Sequence, residues 1–273
     1  MLKRFALAIT ICSGCTVNAQ SLQFVSATNM PDPFGTFGGL SAIELSSDGT
    51  TALTLSDRGH IFDLAISRDT AGDISDVSVT RSKHPAFQRD TEGLAIGIGG
   101  TFVSFEGPAQ VRRLGGKALP DHFDFKNMIP NSALEALAID DVGTLFALPE
   151  RSGGARKPFP LYAYKNGEWT IAHQIPREGP FLPVGADFGP DGFFYLLERA
   201  FTPLGFRTRI RRFDLNKNAL DPVELLRTYP ARHDNLEGLS VWQDSDNQIR
   251  LTMVSDDNFL PVLRNQIVEY VLQ

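Results

Sequence analysis

Along most of the chain apolar and polar residues alternate in short runs, and the runs stop at clusters of Gly, Asp, Asn and Pro. This period of two, cut by turn formers, predicts many short strands and few helices. Five segments share one form, a small or acidic residue followed by Gly or Ala and then alternating apolar residues. They are Gly38-Gly39-Leu40-Ser41, Glu92-Gly93-Leu94-Ala95, Glu135-Ala136-Leu137-Ala138, Val184-Gly185-Ala186-Asp187 and Glu237-Gly238-Leu239-Ser240. Successive starts lie 54, 43, 49 and 53 residues apart. Each segment leads through a turn such as Ser47-Asp48-Gly49 or Pro190-Asp191-Gly192 into a second apolar run that ends on an acid. Those runs are Thr51–Asp57, Thr101–Glu106, Thr144–Glu150, Phe193–Glu198 and Arg250–Asp256. Third strands follow at His60–Ala65, Ala109–Leu114, Pro160–Tyr164, Thr208–Leu215 and Asn265–Val271.

A repeat near 50 residues with about four strands per unit is the pattern of a β-propeller, each unit forming one blade. The expectation is therefore an all-β, single-domain propeller over 20–273, with five four-stranded blades. The fifth unit runs out after its third strand, while the strand Leu22–Ala27 stands unpartnered at the other end of the chain. Pairing the two would close the ring and remove an exposed sheet margin. A sixth blade within Phe24–Phe37, and a β-sandwich with coincidental spacing, are the alternatives.

In an antiparallel hairpin the start of the first strand and the end of the second lie at the same end. Two slots per blade then share one rim. The first holds Gly38, Glu92, Glu135, Val184 and Glu237; the second holds Asp57, Glu106, Glu150, Glu198 and Asp256. So many carboxylates cannot all stay ionised without compensation, because like charges and desolvation raise their pKa values. Two compensators are available. Arg58, Arg151 and Arg199 each follow a second-slot acid, and a bound hard divalent cation, Ca²⁺ by its preference for carboxylate and carbonyl oxygens, would neutralise the same acids. Asp187 and Asp256 add further oxygen ligands, and His60, beside the rim, is a candidate acid or base. A second reading of the acids is structural, each bonding backbone amides of a neighbouring blade.

Composition narrows the function. The 273 residues are 42% hydrophobic and 21% charged with formal net charge −6, a globular balance with no basic surface for a phosphate backbone. Nucleic acid is not an expected partner. At the N-terminus Lys3-Arg4, the apolar run Phe5–Cys12 and Val17-Asn18-Ala19 have the form of a signal peptide spanning 1–19. That run is too short to span a bilayer, which takes about 20 residues. Cleavage after Ala19 removes Lys3, Arg4, Cys12 and Cys15, so the charge moves from −6 to −8 and no thiol remains. A periplasmic or secreted monomer is expected; lipid attachment at Cys15 is the alternative. No nucleophile elbow, zinc helix, P-loop or dinucleotide fingerprint is present.

Asp90-Thr91-Glu92-Gly93-Leu94, Leu134-Glu135-Ala136-Leu137, Leu196-Leu197-Glu198-Arg199, Asn235-Leu236-Glu237-Gly238-Leu239 and Ser255-Asp256-Asp257-Asn258-Phe259 resemble, as an ordered set, the signature segments of the bacterial phytase-like family, described as "esterase-like activity of phytase". The resemblance covers roughly residues 35–270 and implies an exported β-propeller related to calcium-dependent phytases. The expected function is then a metal-dependent hydrolase of a phosphoester or other ester at the channel mouth, acting on a small, anionic substrate. Glu92, Glu135, Glu237 and His60 are its catalytic candidates, and Arg58, Arg151 and Arg199 its substrate-binding ones. Glu92, Glu135, Glu237, Asp57, Asp187 and Asp256 are the candidate metal ligands. A lactonase-like propeller and a non-enzymatic propeller that binds a ligand or protein are the alternatives.

Overall fold

A computed structural model describes residues 20–83, 90–129 and 132–273; the expected signal peptide lies outside them. The chain opens with strand β1 (Leu22–Asn29). Blade 1 follows as β2 (Leu40–Leu45), β3 (Thr51–Ser56), β4 (Ile61–Arg68) and β5 (Ile74–Lys83). Blade 2 is β6 (Thr91–Gly97), β7 (Gly100–Phe105) and β8 (Gln110–Arg113), with an added bridge between Arg112 and Ala118. A short 3-10 turn, Phe123–Asn127, leads to blade 3: β9 (Leu134–Ile139), β10 (Leu145–Pro149), β11 (Phe159–Lys165) and β12 (Glu168–Ile175). Blade 4 is β13 (Leu182–Phe188), β14 (Phe194–Thr202), β15 (Gly205–Phe213) and β16 (Val223–Arg227). Blade 5 is β17 (Asn235–Gln243), β18 (Ile249–Asp256) and β19 (Gln266–Leu272), completed by β1.

The strand order within blade 5 is β1-β19-β18-β17, with Leu22 opposite Leu272 and Asn29 opposite Gln266. The N-terminal strand thus closes the ring as the edge pattern predicts. The five first strands stand side by side around one axis, β2 next to β6, then β9, β13 and β17, which returns to β2. The fold is a five-bladed propeller.

Apolar alternation builds the walls between blades. Five buried clusters each join two adjacent blades. Ala42, Leu55 and Ile61 meet Leu94, Val103 and Phe105, and Tyr195, Leu197 and Ile210 meet Leu239, Leu251 and Met253. Blades 2 and 3, 3 and 4, and 5 and 1 meet in the same way. Burying one such side chain stabilises by about 1.5–3 kcal/mol, so no blade is expected to hold its shape without its neighbours. Around the axis the limit is steric. A Cβ on Gly238 would lie 2.8 Å from the backbone of Ala42, and one on Gly185 would lie 2.4 Å from the Glu237 carbonyl oxygen. The Gly or Ala in each repeat is therefore set by the approach of neighbouring backbones.

Two buried ionic knots reinforce this packing. Glu198, wholly buried, accepts paired bonds of 2.7–2.8 Å from both Arg209 and Arg211. At the closing seam Glu269 of β19, also wholly buried, accepts from Arg68 of blade 1, Arg250 and Thr252, each at 2.9 Å. A buried carboxylate needs such partners, since an unpaired charge in this setting is strongly destabilising.

Candidate functional site

In every blade the first strand carries a one-residue irregularity near its start. The pairing with the second strand skips between Leu40 and Ala42, Thr91 and Leu94, Leu134 and Ala136, Pro183 and Gly185, and Leu236 and Gly238. A bulge leaves its extra residue out of the ladder and re-aims that side chain. The residues so placed are Ser41, Glu92, Glu135, Val184 and Glu237, equivalent by register. The opposite strands define the second slot in the same way. Asp256 stands opposite Asn235, and its counterparts by register are Asp57, Glu106, Glu150 and Arg199.

Two expected positions are corrected. Ser41 fills the first slot of blade 1, three residues beyond Gly38, because backbone register and not the Gly-Gly pair decides where the bulge falls. In blade 4, Glu198 lies opposite Pro183, turned into the buried knot with Arg209 and Arg211, and Arg199 takes the slot where other blades have an acid. The rim is then seven carboxylates, one serine, one valine and one arginine. Asp187 is also set apart. It lies three residues beyond Val184 along β13 and accepts from the Val241 and Phe188 amides at 2.6 and 2.7 Å. It lines the concavity of about 1060 Å³ at the opposite end of the channel, with Glu44. It does not join the rim acids.

Arg199 is the rim's internal counter-ion. Its guanidinium donates to Glu237, to Asn235 Oδ1 at 2.8 Å and to Glu150 Oε1 at 3.2 Å. Asn235 in turn donates to Glu237 at 2.8 Å and to Asp256 Oδ2 at 3.3 Å. Arg151 bonds Ser132 at 3.0 Å and pairs with Glu150 at 3.3 Å. Both arginines are thus bound to rim groups. Arg58 differs: its guanidinium lies over the Phe259 ring, 3.3 Å from the centroid. His60 lines a side cavity with Arg58 and stacks on Phe62 at 5.8 Å.

On the other side of the ring, among the described residues, no arginine or lysine bonds the acids of blade 2. Glu92, Glu106 and Glu135, all buried, offer ligand oxygens that lie within 4.8 Å of one another. Burial and then the charge of Glu237 and Glu106 hold Glu92 well above the usual carboxylate range. Glu135 is raised as well, by burial and then by Glu92 and Glu237, with Arg199 opposing. Burial raises Glu106 against a hydrogen bond from its neighbour Glu135. Burial raises Glu237 too, with Arg199 and Asn235 opposing. Burial, helped by Glu237, pushes Asp256 up to about 7, and burial pushes Asp57 up to about 6 with Arg58 opposing. Asp57 Oδ1 is buried with no hydrogen-bond partner among the described residues.

The backbone that carries these groups is held across blades. Thr91 Oγ1 donates to the Ser56 carbonyl at 2.6 Å, and Ser104 Oγ accepts from Gly93 and donates to Leu134, both at 2.8 Å. Glu106 was placed among the second-slot acids by the sequence, but its convergence with Glu92 and Glu135 depends on the blade 2 and 3 bulges. Asn235, the polar link between Glu237 and Asp256, was signalled only by its place two residues before Glu237.

The family profile described as "Phytase-like: Esterase-like activity of phytase" matches residues 35–259. Curated protein sequences give no match. Among solved structures, a calcium-binding protein, regucalcin, from Agrobacterium tumefaciens aligns with a TM-score of 0.48 at 10% identity, covering 85% of this chain and 90% of that one. A gluconolactonase from Xanthomonas campestris aligns with a TM-score of 0.45 at 13% identity, over 82% and 69% of the two chains. A protein of unknown function from Dyadobacter fermentans gives 0.46 at 13%, over 85% and 75%.

Proposed function

The chain belongs to the phytase-like family, and from that premise we propose that it is a hydrolase-type propeller whose rim holds a hard divalent cation, calcium, and cleaves a phosphoester or other ester beside it. The observation that carries this reading is the group Glu92, Glu106 and Glu135, with ligand oxygens within 4.8 Å of one another and, among the described residues, no arginine bonded to Glu92. Oxygens on opposite sides of a calcium ion stand about 4.6–5.2 Å apart, so the donor set fits in both chemistry and spacing. The unpartnered Asp57 Oδ1 is a further oxygen on the same rim.

Glu92, Glu106 and Glu135 would hold the ion, which when bound supplies Lewis-acid polarisation of an ester oxygen and a more acidic water. The remaining work belongs to the chain itself. Arg199 and Asn235 hold Glu237 in one orientation. Asp256, with an affinity for protons near neutrality, is suited to take a proton at Oδ2 from a water at the mouth. The crowded inner strands keep the channel beneath the rim narrow, so substrate approaches from the rim side. Export is part of this reading, with a mature chain starting at Gln20; an intact mass that retains residues 1–19 would remove that part.

The test is a panel of phosphate esters, acyl esters and lactones, assayed with Ca²⁺ and with EDTA, on the wild type and Glu135→Gln. Turnover that needs the metal and falls at least about tenfold in the variant supports the reading. Metal-dependent stabilisation without turnover of any class would leave a binding propeller instead.

A further inference from the structure

Beside the rim, between blades 5 and 1, lies a second cavity of about 340 Å³. Its apolar wall is Phe37, Phe259, Leu260, Pro261 and Leu263, and Arg58 contributes the guanidinium. Two acids also border it, and both are committed elsewhere. Asp32 Oδ1 accepts the amides of Phe34, Thr36 and Phe37 at 3.1–3.2 Å. Asp257 accepts the Gly39 and Phe259 amides and Asn265 Nδ2 at 3.0–3.1 Å. Arg58 has no such commitment: among the described residues it makes no ion pair, and its face rests on the Phe259 ring. A guanidinium stacked on an aromatic ring keeps its N–H edges free for an in-plane oxyanion.

The platform is held at a conformational cost. Asn258 and Phe259 both have left-handed backbones, with φ of 47° and 51°. A bulky residue is rarely found there, and such strain persists only where the surroundings over-determine it. Here Asp256 Oδ1 accepts the Asn258 amide at 2.6 Å and Asp257 Oδ1 the Phe259 amide. Gly39 completes the fit, because a Cβ there would lie 2.4 Å from Asp57 Oδ1 and 2.6 Å from Phe259 Cε2. Asp57 and Arg58, and Asp256 and Phe259, thus tie the cavity to the rim.

We propose that this cavity is a recognition subsite for an oxyanion carried on a small apolar body of about one ring, with the anion on the edge of Arg58 and the body against Phe37, Leu260 and Leu263. A cavity of about 150 Å³ already holds benzene, so 340 Å³ takes a ring with its acid group. The subsite adjoins the rim, so the occupant is the non-reacting end of the substrate. That link to turnover rests on the hydrolase reading, whereas binding itself does not.

The experiment is a ligand-observed NMR titration of the full chain with phenyl phosphate, phenylacetate and neutral 2-phenylethanol, repeated on Arg58→Gln and Arg58→Lys. Arg58 is exposed, and both variants are expected to melt with the wild type. At least one of the two acids should bind the wild type and weaken about tenfold in Arg58→Gln, with Arg58→Lys between, while the alcohol is indifferent to either change. The acid that responds identifies the oxyanion. Equal binding of the acids to wild type and Arg58→Gln, or no binding of either up to about 10 mM, would overturn the proposal. For an ester that is turned over, Arg58→Gln should raise KM and leave kcat unchanged. Arg58-dependent binding without turnover of any ester would retire the hydrolase reading and keep the subsite.

Discussion

Replacing Arg199 by Met tests whether the arginine balances the acidic rim. The guanidinium binds Glu237, Asn235 and Glu150 in the slot that is acidic in the other four blades, and its side chain keeps only 21% of its exposure. Removing one partner of a buried ionic group costs about 3–5 kcal/mol, because the remaining charges lose their counter-ion. Some solvent reaches this pair, so the lower end, about 3 kcal/mol, is the expected loss. For a protein of this size each kcal/mol moves Tm by about 2–4 °C, which gives a fall of about 6–12 °C. The assay is a thermal melt in EDTA at neutral pH, with Glu237→Gln and the double variant completing a cycle. The two losses should be strongly non-additive, since each change removes the same contact. An Arg199→Met melt within about 1 °C of wild type would refute the counter-ion role and return Arg199 to the set of free anion receptors.

Three further outcomes follow from the same geometry. Calcium at a hundred times its Kd should stabilise the protein by about 2.7 kcal/mol, and Glu135→Gln should shrink that shift; identical melts in Ca²⁺ and EDTA would count against the metal. At the opposite end of the channel, burial pushes Asp187 up to about 7 and also raises Glu44, to which Asp187 adds repulsion. A raised carboxyl favours the folded state at low pH, so the Asp187 contribution is fully present below about pH 4 and is lost as pH climbs through about 7, on the order of 4 kcal/mol in all. Asp187→Asn should flatten that slope in melts from pH 5 to 8, and an unchanged slope would refute the assignment. At the closing seam, Glu269→Gln leaves Arg68 and Arg250 short of a charge partner and should cost about 3–5 kcal/mol in urea unfolding; a loss below about 1 kcal/mol would mean the knot does not hold the ring shut.

The strands were legible because each blade presents a period-two face to its neighbours, and that alternation survives in the sequence whatever the side-chain chemistry. The closure was legible for a similar reason: a last unit one strand short and a spare strand at the start have one economical solution. Strand ends are a different matter. Alternation fixes which face a residue takes but not where pairing stops, and β14 runs on to Thr202, so the acid that ends its apolar run is Glu198 inside the sheet while Arg199 reaches the rim. Glu198 could not have been told from the rim acids by spacing alone, because its distinguishing feature is the pair Arg209 and Arg211 on the next strand.

Bulges hide for a deeper reason. One extra residue reverses the alternation, so its position is a property of backbone pairing that side-chain pattern records only indirectly. The recorded trace is the Gly or Ala that follows the bulge, in Gly93, Ala136, Gly185, Gly238 and, in blade 1, Ala42. The Gly38-Gly39 pair does not mark the bulge because it answers another demand, the approach of Asp57 and Phe259 to Gly39. The small residue after the bulge is under steric compulsion, whereas the bulged residue itself points away from the ladder and is free to be Ser, Glu or Val. A propeller built this way can change its rim one blade at a time without disturbing the walls between blades. In this chain that freedom has gathered glutamates on blades 2, 3 and 5, placed the one arginine of the slots on blade 4 between Glu150 and Glu237, and left Glu92 with no bonded cation among the described residues.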